Sequence, residues 1–300
     1  MHVLITGARG IAGRFISARL GALGHRVTTL GRNPGDVPWS LADIRPALSD
    51  ADALVHCAFH HRPGAYRGGE GDDPETFIRL NRDGSLALFD AARRRKIARI
   101  VLISSRAIYG DDRGDEILRE EDVPAPESLY GRMKADLEAD LIDHSDGTIL
   151  RATGIYGRPP GSRDHKWADL FRDYLAGHEI TARCGTEVHG DDLADAAALV
   201  LAAPTDRLGD GVFNVSDILL DRHDLLAGVQ SRTGSPHAVP PAACSPLPGV
   251  MATDRLRALG WRPGGQARLN AFLDAEFGQS DAAQGASDHQ TSGSQPIQSP

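Results

Sequence analysis

Tyr130 stands four residues before Lys134 in Leu129-Tyr130-Gly131-Arg132-Met133-Lys134, a spacing that puts both side chains on one face of a helix. An ammonium beside a phenol favours the phenolate, so the pair suits proton transfer near neutral pH. The chain has 5 Tyr and only three lysines (Lys96, Lys134 and Lys166), so the pairing is not expected by chance. Ser104 and Ser105 close the apolar run that begins at Ile100, and hydroxyls at the carboxyl end of a parallel strand lie where open α/β sheets bind ligands. A third constellation is Thr6-Gly7-Ala8-Arg9-Gly10-Ile11-Ala12-Gly13, straight after the apolar His2-Val3-Leu4-Ile5. Glycines so spaced between a strand and a helix permit a tight turn and close backbone approach to a dinucleotide pyrophosphate, which the helix N-terminus attracts. A glycine turn used only for packing has the same composition, so the position after a first strand carries the argument.

Those residues need a scaffold, and the first half of the chain alternates strand and helix patterns. Apolar runs at 3–6, 27–30, 53–58 and 100–104 are separated by helical patterns at 11–23 and 74–95. A helical pattern at 129–143 and a strand at 148–151 follow. Near-continuous apolar strands between helices predict a parallel sheet covered on both faces. We expect an α/β fold of the Rossmann type, a doubly wound parallel sheet over residues 1–157 to which later strands return. A smaller substrate-binding region is expected over 158–278, with helices at 167–175 and 193–203, a strand at 211–215 and an irregular 236–248. The glycine- and acid-rich 66–73 reads as a flap over the cleft, and 279–300 as a disordered tail.

Composition narrows the partners. With 41% hydrophobic and 25% charged residues the 300-residue chain is an ordinary globular sequence. Its net charge of -8 argues against nucleic acid and anionic membranes. The basic run Arg93-Arg94-Arg95-Lys96 ends a helical pattern, where cations favour the dipole. Cys57, Cys184 and Cys244 lie far apart, without the spacing of metal ligands or of a disulfide framework, and no metal is expected. No leader precedes the first strand and no apolar run approaches spanning length, so a cytoplasmic protein is expected.

Taken in order, these motifs resemble those of the extended short-chain dehydrogenase/reductases, the group of NAD(P)-dependent nucleotide-sugar epimerases, dehydratases and reductases. The resemblance is carried by the 6–13 loop, Val55-His56-Cys57-Ala58, Asn81, Ser104-Ser105 through Tyr109-Gly110, Tyr130 with Lys134, and Arg151 through Tyr156-Gly157. Weaker matches are Val188-His189-Gly190-Asp191-Asp192-Leu193-Ala194, Phe213-Asn214-Val215 and Leu259-Gly260-Trp261. It implies that Gly7, Gly10, Ile11 and Gly13 hold the pyrophosphate, that Tyr130 is the acid/base, and that Lys134 binds the cofactor. It further implies that Ser105 orients the substrate oxygen, that Ala58 and Phe59 line the cofactor groove, and that residues 152–155, Thr153 among them, face the nicotinamide.

Departures refine this. NAD-preferring relatives carry an acid after the second strand, where this chain reads Leu30-Gly31-Arg32-Asn33. Arg32, joined by Arg9, suits a 2′-phosphate, so NADP(H) is expected over NAD(H). The family's 4,6-dehydratases place Asp-Glu after the catalytic hydroxyl residue, where Arg106-Ala107 stands here, so dehydration is not expected. His60, Arg106, Arg183 and His189 are candidate substrate contacts. The expected activity is hydride transfer at a hydroxyl or ketone carbon of a sugar-like or nucleotide-sugar substrate. A nucleotide-sugar 4-epimerase with retained NAD stays open, as does a non-catalytic cofactor sensor, which needs no Ser-Tyr-Lys set. Relatives commonly dimerise through the helices here at 74–95 and 129–143, so a homodimer stays open too.

Overall fold

The computed structural model describes residues 1–61, 70–111, 113–144, 147–243 and 249–278. The chain runs β1 (His2–Thr6), α1 (Ile11–Ala22), β2 (Arg26–Gly31), β3 (Val37–Pro38), β4 (Ala53–His56), α2 (Pro74–Ile78), α3 (Gly84–Arg94) and β5 (Arg99–Ser105). It continues with β6 (Ile117–Leu118), α4 (Leu129–Asp143), β7 (Gly147–Ala152), β8 (Gly154–Tyr156), α5 (Ala168–Leu175), β9 (Cys184–His189) and α6 (Gly190–Ala202). Last come β10 (Val212–Val215), β11 (Ile218–Asp221), α7 (Arg222–Thr233), β12 (Val250–Met251), α8 (Asp254–Ala258) and α9 (Gly265–Phe277).

Seven strands form one sheet in the order β10-β7-β5-β4-β1-β2-β3, every neighbouring pair parallel. Its inner strands are largely apolar, as helices cover both faces. Val3 and Ile5 pack with Phe15, Ile16, Leu193 and Val200 of α1 and α6, while Leu4, pointing the other way, packs with Leu88 and Leu137 of α3 and α4. The chain order reverses between β1 and β4, and the crevice outside the carboxyl ends there is where such sheets hold ligands. Residues 212–215 return to pair with β7, beyond the expected boundary at 157. A smaller sheet, β11-β9-β8, and helices α5, α7 and α9 surround a second core around Tyr156, Trp167, Leu226 and Phe272.

Two expectations need adjustment. The helix at 74–95 is interrupted by a π turn, Arg79–Asp83, between α2 and α3. Cys57 is a free thiol, whereas Cys184 is disulfide-bonded, which the wide cysteine spacing did not suggest. Leu88, Phe89, Leu137 and Leu141, on the helices through which relatives dimerise, are buried against the sheet within one chain. Residues 66–69 of the 66–73 segment, the end of 236–248 and all of 279–300 lie outside the described residues. Among the described residues no helix is long and apolar enough to cross a membrane.

A buried charge network ties α4 to this sheet. Arg151 of β7 and Glu138 of α4 are each 2% exposed. Arg151 donates to Glu138 Oε2 from Nε (3.0 Å) and Nη2 (2.8 Å), and from Nη1 to the Tyr109 hydroxyl (2.7 Å) and the Glu120 carbonyl (2.9 Å). The Ser104 hydroxyl donates to the other Glu138 oxygen, and the Tyr109 hydroxyl donates to Asn214 Oδ1 at 2.8 Å. Removing one partner of such a pair strands the other charge in a dry interior, at a cost of about 3–5 kcal/mol. Glu138→Ala is therefore expected to lower the unfolding free energy by roughly that amount in urea titrations, with Glu138→Leu/Arg151→Met recovering part of it.

Candidate functional site

The carboxyl ends of β1, β4, β5 and β7 converge, and each leads into residues singled out above. After β1, Gly7 turns at φ +66 and lies so close to β4 that a Cβ there would stand 2.6 Å from the Ala58 nitrogen. A Cβ on Gly13 would land on the Gly7 carbonyl oxygen, so the first turn of α1 packs directly on the loop. Gly10 caps α1 without a side chain, and the turn that Ile11 opens contains no acid. The N–H groups of this 12-residue helix are thus left to an anion that its dipole attracts. Arg14 braces the loop, donating from Nε to the Arg9 carbonyl (2.9 Å) and from Nη1 to the Pro160 carbonyl (3.1 Å).

The chain after β4 is held from two sides. Thr6 Oγ1 accepts the Ala58 N–H (3.3 Å), and the Asn81 amide brackets His60, accepting its N–H at 2.6 Å and donating to its carbonyl at 2.8 Å. Asn81 lies in the π turn, whose wider coil breaks the ordinary helical ladder at this functional edge. Behind it, the Ser85 hydroxyl donates to the Asn81 carbonyl and therefore accepts from His56 Nε2 (2.9 Å), while His56 Nδ1 accepts from the Thr6 hydroxyl (2.7 Å). Burial, with the Lys134 charge adding to it, pushes His56 down to about 3 and keeps the ring neutral.

Tyr130 and Lys134 meet this edge through Phe59. The Phe59 ring stands edge-on to those of Tyr130 (4.9 Å) and Phe77 (5.5 Å), and the Lys134 ammonium lies 4.8 Å over it. Lys134 is buried and donates to the Ile103 carbonyl at 2.7 Å. Burial pushes it down to about 8, against the attraction of Cys57 and Glu138. Ser128 caps α4 by accepting the Gly131 N–H (3.1 Å), and a Cβ on Gly131 would be only 2.5 Å from the Ala107 carbonyl. Ala107 belongs to the turn after Ser105, and Ser105 Oγ accepts its N–H at 3.2 Å. The start of α4 and the Ser105 turn are therefore in close contact. Thr153 is buried beyond the end of β7, its N–H on the Val215 carbonyl (3.1 Å).

At the end of β2, Arg32 is exposed, and no described residue pairs with it. Arg9 places its Nε 3.9 Å from Asp36, a residue with no signal in the sequence. Asp36 occupies the space beside Gly31, where a Cβ would lie 2.5 Å from its Oδ2. Burial raises its proton affinity, yet bonds from the Thr29 hydroxyl (2.6 Å) and the Asn33 N–H (3.2 Å) hold it below the usual carboxylate range. A carboxylate therefore lies beside Gly31, engaged by Thr29, Asn33 and Arg9.

Among the expected substrate contacts, the His60 side chain is exposed beside the groove. Arg106 donates to the carbonyls of Gly249 (3.0 Å) and Gly110 (3.3 Å), bracing the turn after Ser105. His189 instead caps α6, its Nδ1 accepting the Asp191 N–H (3.1 Å), with its ring against Phe15 and Tyr156. Burial pushes it down to about 4, so it offers no positive charge near neutral pH. Arg183 is exposed, and no carboxylate among the described residues pairs with it. After burial, the larger cause, its charge lowers the proton affinity of both Lys166 and Arg222, which places the three cations within electrostatic reach. Lys166 pairs with Glu187 directly over Gly154 of β8. Neither Lys166 nor Arg222 belongs to a motif that would have marked it. No metal-binding cluster occurs among the described residues.

The sequence profile described as "NAD dependent epimerase/dehydratase family" matches residues 3–216. The chain is 31% identical over 159 residues to dTDP-4-keto-6-deoxy-D-glucose reductase of Streptomyces niveus, covering 52% of this chain and 53% of that protein. It therefore spans about half the length of several curated relatives that it matches. The 3-diazoavenalumate denitrifying reductase of a Streptomyces species is 30% identical over 240 residues, 72% of this chain and 76% of that protein. Among solved structures, UDP-glucose 4-epimerase of Thermus thermophilus in complex with NAD superposes at a TM-score of 0.72 with 24% identity, covering 93% of this chain and 100% of that one. At that identity the likeness shows the fold alone.

The two neutral histidines make stability depend on pH. An unfolded histidine takes a proton near 6.5, whereas folded His56 and His189 wait until about 3 and about 4. Their contribution is complete above 6.5 and is lost as the pH falls. Asp192, pushed up to about 6 by burial, acts in the opposite sense between 3.8 and that value, as do Glu120 and Asp217, which burial also raises, while His165, lowered by burial, adds to the histidine side. The melting temperature is expected to fall steadily from pH 7 to pH 5 in scanning calorimetry, and less steeply in His189→Asn.

Proposed function

Because the chain belongs to the NAD dependent epimerase/dehydratase family, we propose that it is an NAD(P)-dependent oxidoreductase that moves a hydride at a hydroxyl or ketone carbon of an anionic, sugar-like or nucleotide-sugar substrate. The observation that carries the proposal is the α4 face bearing Tyr130 and the desolvated Lys134, set against the β4 edge beside the acid-free glycine loop. Relatives named as reductases, one of them matching 72% of the chain, favour reduction over epimerisation.

When bound, the nicotinamide supplies or accepts the hydride. The backbone of Gly7, Gly10, Ile11 and Gly13 holds the pyrophosphate, Ala58 and Phe59 line the groove, and Thr153 faces the carboxamide. Arg32 and Arg9 receive a 2′-phosphate, which favours NADP(H). In the reducing direction the Tyr130 hydroxyl gives its proton to the substrate oxygen as hydride reaches the carbon, so a carbonyl becomes an alcohol. The phenolate then regains a proton from solvent. Lys134, one turn along the helix, stabilises negative charge on the tyrosine oxygen. Ser105 already accepts one N–H and keeps its own O–H to orient the substrate oxygen. The Arg183, Arg222 and Lys166 charges attract the anionic part of the substrate.

Steady-state kinetics separate these roles. Tyr130→Phe is expected to lower kcat by about 10²–10⁴-fold with cofactor affinity unchanged, and Arg183→Ala to keep kcat while raising KM about tenfold. Unchanged turnover in Tyr130→Phe would contradict the assignment.

A further inference from the structure

The Phe59 side chain touches both members of the α4 pair. Its ring meets Tyr130 edge-on at 4.9 Å, and the Lys134 ammonium faces it at 4.8 Å. We infer that the Phe59 side chain is a gate of the cofactor groove, whose ring must turn away from Tyr130 and Lys134 before Lys134 is free to hold a bound dinucleotide. The inference rests on the proposed function and goes beyond it, because Phe59 there serves only as groove lining.

The surrounding contacts confine the movement to the side chain. Ala58 is tied to Thr6 and His60 is bracketed by Asn81, so the backbone on either side of Phe59 is fixed. Phe77, 1% exposed, is a rigid wall on the far side of the ring. Phe59 itself is only half-buried, so rotation toward solvent is open to it.

Lys134 is meanwhile engaged. Of its three N–H groups one donates to the Ile103 carbonyl, and the ammonium also faces the Phe59 ring. Cation–π attraction strengthens when water is excluded, as it is at this buried lysine. A dinucleotide held by Lys134 must replace that contact with its own. Ring-in and ring-out states then compete, and the apparent affinity is reduced by the fraction that is open. The closed state is favoured by the ring's aromatic face, so a side chain of similar bulk without that face shifts the balance toward the open one.

Equilibrium fluorescence titration of the full chain with NADPH and with NADH tests this in wild type, Phe59→Leu and Phe59→Ala, each first shown by circular dichroism to be folded. Phe59→Leu keeps the apolar packing and removes the π face. Its Kd is expected to fall about tenfold, equivalent to ~1.4 kcal/mol, with Phe59→Ala falling at least as far. An unchanged or higher Kd in the folded leucine variant would make Phe59 a fixed wall and overturn the gate while leaving the proposed function intact. Failure of wild type to bind either dinucleotide would overturn both.

Discussion

The Arg151–Glu138 ion pair sets the geometry on which the rest of the site depends. Two charges out of water are tolerable only when their remaining donors and acceptors are satisfied. Here Ser104, Tyr109 and the Glu120 carbonyl complete them. Glu138 follows Lys134 by four residues and Tyr130 by eight, so holding its carboxylate against β7 fixes the rotation of α4. That rotation aims Tyr130 and Lys134 at the β4 edge. The same network extends through Tyr109 to Asn214, so the late strand β10 is bound to the helix that carries the candidate acid/base.

The opposite wall is organised by a neutral imidazole. His56 joins Thr6, at the root of the glycine loop, to Ser85 and the π turn that presents Asn81. Because burial keeps the ring neutral, its two nitrogens serve as one donor and one acceptor, and the backbone of residues 58–60 is held without counter-ions. The two walls meet at Phe59. Around them lie a glycine loop whose helix has no acid in its first turn, Arg9 beside Asp36, the exposed Arg32 and Arg183, and Lys166 paired with Glu187.

Much of this was legible before the structure, and what was not has identifiable causes. The apolar runs that became β1, β2, β4, β5 and β7 are long enough to show a pattern, whereas the two-residue strands β3, β6 and β12 have no period to read. The Tyr130–Lys134 spacing survives because helix geometry alone places the two on one face. Asn81 was noticed, but its role needed a π turn that helical periodicity does not reveal. Asp36 reaches Gly31 only through the path of the loop after β2, and Lys166 and Arg222 meet Arg183 only through the small sheet. His189 was read as a candidate anion contact, and it became a neutral helix cap because Phe15 and Tyr156 exclude water from its ring. Glu138 was the avoidable omission, since its spacing continues the Tyr130–Lys134 series.

What the groove binds decides between the dissociable reductase and its alternatives. Gel filtration of the purified protein, followed by fluorescence titration with NADPH and NADH, measures this without knowledge of the substrate. Reversible binding with a clear preference for NADPH is the predicted result, in keeping with Arg32, Arg9 and a cofactor that leaves after each turnover. NAD(H) retained through the column would contradict the dissociable reductase and point to an epimerase. No binding of either would contradict the enzyme itself.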